Sequence, residues 1–212
     1  MNCSLIITTY NWKSALELVI LSVFNQTYLP VEIIIADDGS RNDTRDLIKN
    51  LSSKSPIPLI HSWQEDKGFR AAKVRNKAIA QAIGNYIIVI DGDMILHKDF
   101  VLDHYYFARR GYFVQGIRAK LNSQKAKEVF EKKQHIFKTF EKGIKNKRNS
   151  IRSSLLSYLF SGTRLLKRLD MVQTCNIAFF KNDCIKVNGF NEDFIGWGRE
   201  DSEFAAKLLH LG

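Results

Sequence analysis

The feature that most constrains this fold is an alternation. Short runs of Ile, Val and Leu end on polar or acidic residues and are followed by stretches with helical spacing. Leu5 to Thr9 and Val31 to Ala36 are two such runs, separated by a helical pattern from Ser14 to Phe24. A second helical pattern covers Asp43 to Leu51, and Pro56 and Pro58 then mark an extended connection toward Ile60. Ala71 to Ile83 again has helical spacing, Gly84 stops it, and Tyr86 to Ile90 is an apolar run ending at Asp91. Runs that are apolar on both faces suit strands covered on both sides. The fold class expected is therefore α/β, a mainly parallel Rossmann-like sheet with helices on both faces in a single domain. In such sheets ligands bind beyond the carboxyl ends of the strands, so the polar residues there are the candidates for chemistry.

Size and composition agree with one core. The chain has 212 residues with 45% hydrophobic content and only 3 prolines. Its 3 cysteines, Cys3, Cys175 and Cys184, form no metal-ligand or CxxC spacing, which points to a reducing compartment. The N-terminal residues carry no signal-peptide pattern and no run reaches the length of a membrane span. A cytoplasmic protein, either soluble or peripheral at the inner face of a membrane, is expected. The net charge of +10 is concentrated in residues 118–168, which hold 15 Lys and Arg against 3 Glu, leaving the rest slightly acidic. Within that segment Val129, Ile136, Phe140 and Ile144 predict an amphipathic basic helix from Lys125 to Lys147. Met171 to Phe180 reads as a further strand and Ser202 to Leu211 as a helix.

Asp91 and Asp93 lie two apart where a strand ends, so both carboxylates can face one side and present oxygens to a hard cation such as Mn²⁺ or Mg²⁺. A turn capped by two aspartates is the plainer reading of that tripeptide alone. Asp37-Asp38-Gly39-Ser40 follows another strand, where an aspartate can accept from a base N–H or a ribose hydroxyl. Two aspartate pairs at two strand ends of one parallel sheet converge on one cleft. Trp197-Gly198-Arg199-Glu200-Asp201 joins an aromatic plate, a glycine and two carboxylates, which suits sugar recognition with proton abstraction or, more simply, an acidic helix N-terminus.

Thr8-Thr9-Tyr10-Asn11, Asp37-Asp38-Gly39-Ser40 and Asp91-Gly92-Asp93, in this order and spacing, resemble family 2 glycosyltransferases of the GT-A fold. Gly68-Phe69-Arg70-Ala71-Ala72-Lys73-Val74-Arg75-Asn76, Asn176-Ile177-Ala178-Phe179 and Phe194-Ile195-Gly196-Trp197-Gly198-Arg199-Glu200-Asp201 resemble bacterial chondroitin polymerase domains. The last motif is also similar to that of β-1,4-galactosyltransferases. The resemblance implies an inverting, metal-dependent transfer of a hexose or N-acetylhexosamine from a UDP-sugar to a glycan or lipid-linked glycan, in bacterial surface polysaccharide or lipooligosaccharide synthesis. It places Thr8, Tyr10, Asp38, Arg70 and Asp91 at the nucleotide and Asp93, with Asp91, at the metal. Trp197, Gly198, Glu200 and Asn176 fall at the sugar, and Asp201 as the base. It divides the chain into a nucleotide-binding half, 1–93, and an acceptor-side half, 94–212, with the basic insert at about 118–168. A third metal ligand, commonly a histidine, comes from a later segment in the relatives. His210 is the only histidine after Asp201.

The insert, with Lys142, Lys145, Lys147, Arg148, Arg152, Arg164, Lys167 and Arg168, suits an anionic membrane surface or a phosphate-bearing lipid-linked acceptor. A solvated helical face is the plain alternative. A nucleotidyltransferase would need a glycine-rich phosphate loop, and Leu5 to Tyr10 contains no glycine. A nucleic-acid-binding module leaves the acidic motifs unexplained, so no nucleic-acid partner is expected. A catalytically silent domain paired with another chain is the remaining alternative.

Overall fold

A computed structural model describes residues 1–153, 155–157, 172–196 and 199–211. Eight described strands, β1 (Cys3–Thr9), β2 (Glu32–Asp37), β3 (Leu59–Trp63), β4 (Tyr86–Asp91), β5 (Val114–Gln115), β6 (Lys120–Leu121), β7 (Ile144–Lys145) and β8 (Asn176–Phe180), form two sheets. Seven described helices accompany them: α1 (Lys13–Phe24), α2 (Asn42–Ser52), α3 (Ala71–Gln81), α4 (Phe100–Phe107), α5 (Ser123–Glu131), α6 (Lys181–Lys186) and α7 (Glu200–Leu209).

The main sheet has the order β3-β2-β1-β4-β8-β5, with the first four strands parallel. Alternate residues face opposite layers, as a two-residue period demands. Leu5, Ile7, Ile33, Ile35, Ile88 and Ile90 pack with α1, α2 and α4. Ile6, Ile34, Ile87, Val89, Ile177 and Phe179 pack with α3 and α7. The apolar runs are buried on both faces because helices cover both. The extended connection at Pro56 and Pro58 runs into a strand, β3, that contains Ile60.

β8 lies antiparallel to β4, with Asn176 opposite Ile90. The residues just before Asn176 are thereby carried past the end of β4. The strand starts at Asn176, later than the sequence pattern suggested, and Met171 lies outside the described residues.

The basic segment differs from the expected single helix. α5 stops at Glu131, and positive φ angles at Lys133, Phe140, Gly143 and Asn146 turn the chain back to pair β7 with β6. Right-handed helix cannot pass through such residues. Lys125, buried on α5, ties the turn together through Glu141 at 2.7 Å. Among the described residues no helix is long and apolar enough to cross a membrane.

Candidate active site

The parallel register sets the floor of the site. β1 and β4 end level, with Thr8 beside Asp91, while Thr9 lies beside Asp37 on β2. The Thr8 hydroxyl donates to Asp91 Oδ1 at 3.2 Å. Gly92 then folds back so that its N–H meets the Thr8 carbonyl at 2.7 Å, and a Cβ there would sit 2.7 Å from the same oxygen. Only glycine allows that approach, and it leaves the Asp93 side chain exposed over the strand ends. Burial pushes the Asp91 carboxyl above its ordinary value. Arg75 opposes this, the Asp93 charge adds to it, and Thr8 and Arg118 oppose it further.

The opposite wall comes from the end of the chain. Asp201, in the first turn of α7, accepts from the Thr174 N–H at 2.9 Å and from the Thr174 hydroxyl at 2.7 Å. Its neighbour Glu200 is buried, and Glu200 Oε2 has no partner among the described residues. Joining the two walls is Arg75, on the buried stripe of α3. Its guanidinium stands 3.2 Å from Glu200, 3.4 Å from Asp201 and 3.9 Å from Asp91. The Phe190 ring lies under it at 5.5 Å. Arg118, reaching in from the basic segment, is 3.9 Å from Asp91 on the other side. Asp91, Asp93, Thr174, Glu200, Asp201, Arg75 and Arg118 line a cleft of about 970 Å³, at the upper end of what small-molecule sites enclose.

Of the residues expected from the sequence, Thr8, Tyr10, Asp38, Asp91, Asp93, Glu200 and Asp201 all line this cleft. Tyr10 donates its hydroxyl to Asp66 at 2.9 Å. Asp38 accepts from Gln64 Nε2 at 2.6 Å and from the Arg70 N–H at 2.7 Å. Arg70 itself does not reach the cleft by its side chain, because the guanidinium turns to the Glu65 carbonyl, and Lys73 is exposed on α3. Asn176 is also placed elsewhere. Its side chain faces the α1–α4 layer, where Oδ1 meets His104 Nε2 at 2.9 Å and Gly116 packs against it. Trp197 and Gly198 lie outside the described residues. Arg75, Arg118, Thr174 and Trp12 are among the cleft residues that the motif reading did not single out. His210 ends α7 exposed, and among the described residues no cluster of three His, Cys, Asp or Glu side chains has metal-site geometry.

A parallel sheet with paired aspartates at two strand ends and a Glu-Asp pair across the cleft defines a GT-A glycosyltransferase-type domain. Residues 4–171 match the glycosyl transferase family 2 profile, and residues 160–212 match one described as the N-terminal domain of galactosyltransferase. The chain belongs to glycosyl transferase family 2. It is 27% identical to a chondroitin synthase of Pasteurella multocida and 28% identical to a hyaluronan synthase of the same species. Each alignment covers 99% of this chain and 23% of the relative. The chain thus spans about a quarter of the length of those relatives. Among solved structures it is similar to a mannosyltransferase from Pyrobaculum calidifontis in complex with GDP-Man and Mn²⁺. The TM-score is 0.66 at 17% identity, over 100% of this chain and 52% of that one. It is likewise similar to S. aureus TarS in complex with UDP, with TM-score 0.64 and 19% identity over 99% of this chain and 55% of that one. At such identities these likenesses speak to the fold, which is GT-A.

Proposed function

We propose that this domain transfers a hexose or N-acetylhexosamine from a UDP-sugar to a hydroxyl of a growing bacterial surface polysaccharide or lipooligosaccharide, with inversion. One observation carries the reading: the Asp91–Asp93 pair and the Glu200–Asp201 pair, more than a hundred residues apart in sequence, face one cleft and are joined by Arg75. The UDP complex of a structural neighbour and the polysaccharide synthases among the relatives support the donor and product classes.

Residues 1–93 supply the nucleotide side of the cleft, and 94–212 carry the carboxylates that face the acceptor. Tyr10 and Asp38 face the base and ribose, and each Asp38 oxygen keeps a second lone pair beyond its present donor. Asp91 and Asp93 suit a hard cation, since two carboxylates at one strand end suffice when diphosphate oxygens fill the remaining positions. An Mn²⁺ or Mg²⁺ ion held by Asp91 and Asp93 would supply positive charge to balance that of the departing UDP. Asp201 takes the proton of the acceptor hydroxyl as its oxygen bonds the anomeric carbon and the bond to UDP breaks. Thr174 fixes the orientation of that carboxylate with two donated bonds. Glu200 Oε2, without a partner among the described residues, receives a sugar hydroxyl.

The basic segment supports peripheral docking at the cytoplasmic face of an anionic membrane. Lys120, Lys142, Lys145, Lys147 and Arg148 are exposed and have no acidic partner among the described residues, each worth roughly 1 kcal/mol near such a surface. Arg152 belongs apart from them, because it pairs with Asp103 at 2.8 Å and with Asp99 at 3.2 Å. Arg164, Lys167 and Arg168 lie outside the described residues.

Calorimetric titration of UDP and UDP-sugars with and without Mn²⁺, alongside Asp93→Ala, tests the donor site. Metal-dependent UDP binding lost in the variant is the expected result, and absence of UDP binding under every condition would overturn the reading.

A further inference from the structure

Tyr10 and Trp12 lie two residues apart at the end of β1, yet they leave it in opposite directions. Asn11 between them adopts a left-handed conformation with φ 48°. It is held there because its N–H donates to Ser40 Oγ at 2.8 Å and its Oδ1 accepts the Arg41 N–H at 3.0 Å. Tyr10 is thereby turned toward Asp66, after β3, on the nucleotide side. Trp12 is turned the other way, against Phe130 of α5, with ring centroids 6.2 Å apart.

That second aromatic corner is braced. Lys133, just past α5, pairs with Glu17 of α1 at 2.6 Å, and Asn122 caps α5 through the Lys125 N–H at 2.7 Å. Were the corner only a seam between α1 and the basic segment, its rings would be buried. Instead Trp12 lines the cleft with half of its surface, 50%, open. A large rigid aromatic left open inside a concave cleft is the usual mark of a ligand-facing surface. The C–H face of a pyranose is the apolar counterpart of an indole plane, while its hydroxyls stay free for the polar walls.

The surroundings select the charge of that ligand. Arg118 lines the same cleft, and beyond it the β6–β7 ribbon sets Lys120 directly opposite Lys145, both exposed. Like charges directly opposed weaken a ribbon unless an anion lies over them.

We propose that Trp12, backed by Phe130, is an acceptor subsite that stacks a pyranose ring of an anionic glycan chain running out over the β6–β7 ribbon. The assignment rests on the glycosyl-transfer reading and extends it to the acceptor. The test is calorimetric titration of hyaluronan and chondroitin hexasaccharides, with neutral cellohexaose as comparison, into the UDP- and Mn²⁺-loaded full chain. Trp12→Ala and Trp12→Phe are titrated beside the wild type, each also with UDP alone. Acceptor affinity should fall about tenfold in Trp12→Ala, the weight of one aromatic contact. Most of it should return in Trp12→Phe, and UDP affinity should stay unchanged in both. The anionic chains should bind more tightly than cellohexaose. Acceptor affinity unaffected by Trp12→Ala, UDP binding lost along with it, or cellohexaose binding as well as the anionic chains would each overturn the proposal. So would a wild type that binds UDP and none of the hexasaccharides, whereas failure of UDP itself to bind would strike the donor-site reading instead.

Discussion

Replacing Arg75 with methionine keeps an unbranched stem out to about the position of Nε and removes the guanidinium from between three carboxylates. Arg75 and Glu200 are the buried partners, with side chains 6% and 8% exposed. Asp201 and Asp91, at 23% and 35%, are better screened and contribute less. Removing one member of a buried pair strands the other and costs about 3–5 kcal/mol. For a chain of this size each kcal/mol moves the melting midpoint by about 2–4 °C, so a fall of roughly 6–20 °C is expected. Thermal unfolding followed by circular dichroism measures it. The double variant Arg75→Met/Glu200→Gln removes the stranded charge and should recover a sizeable part of the loss, a coupling that two independent sites would not show. A midpoint within about 2 °C of wild type, or strict additivity in the double variant, would refute the argument that this guanidinium neutralises a buried acid.

Two further outcomes follow from other parts of the molecule. Burial lowers the His104 pKa from 6.5 to about 4, partly offset by its bond to Asn176 and the nearby Asp103 charge. The unfolded chain therefore takes up a proton that the folded one refuses, so this contribution is intact above pH 6.5 and is lost as pH falls toward 4. Urea titrations across that window should show wild-type stability declining with a slope that His104→Gln flattens, and an identical slope in the variant would count against it. Gly39 has φ +101°, and a Cβ there would lie 2.5 Å from the Asp66 backbone. Since Asp66 holds the Tyr10 hydroxyl, Gly39→Ala should displace that wall and weaken UDP binding about tenfold by calorimetry. UDP affinity equal to wild type would contradict it.

The sheet was readable from sequence because its strands are buried on both faces, which leaves unbroken runs such as Ile33–Ile34–Ile35 and Ile87–Ile88–Val89. β3 was harder, since Leu59–Trp63 contains His61 and Ser62 and is only partly buried. Asp91, Asp93, Glu200 and Asp201 announced themselves through motif spacing, whereas Arg75 did not, although the signal was present. Ala71, Ala78 and Ile79 form the buried stripe of α3, and position 75 falls on that stripe at i+4, i−3 and i−4, where a cation needs a buried partner. Parity along β8 would likewise have set Asn176 with Ala178 on the α4 side, opposite Ile177 and Phe179. The basic helix misled because Ile136 and Phe140 fit a helical stripe by spacing while standing exposed, Ile136 in irregular chain and Phe140 at a turn. Periodicity says nothing about a buried Lys125 that gathers Glu128, Gln134 and Glu141 around itself.

The place of β8 in the sheet also sets an order of assembly. β1 to β4 are joined by short crossovers and can form a continuous sheet from the first ninety or so residues alone, whereas β8 must arrive from far along the chain to fill the space between β4 and β5. Contacts of such long range are slow to close and come after the local ones. Thr174 and the α7 carboxylates travel with that strand, so a nucleotide-side surface exists before the group that takes the proton is in position. The pairing of β8 with β4 is thus the long-range contact that completes the site.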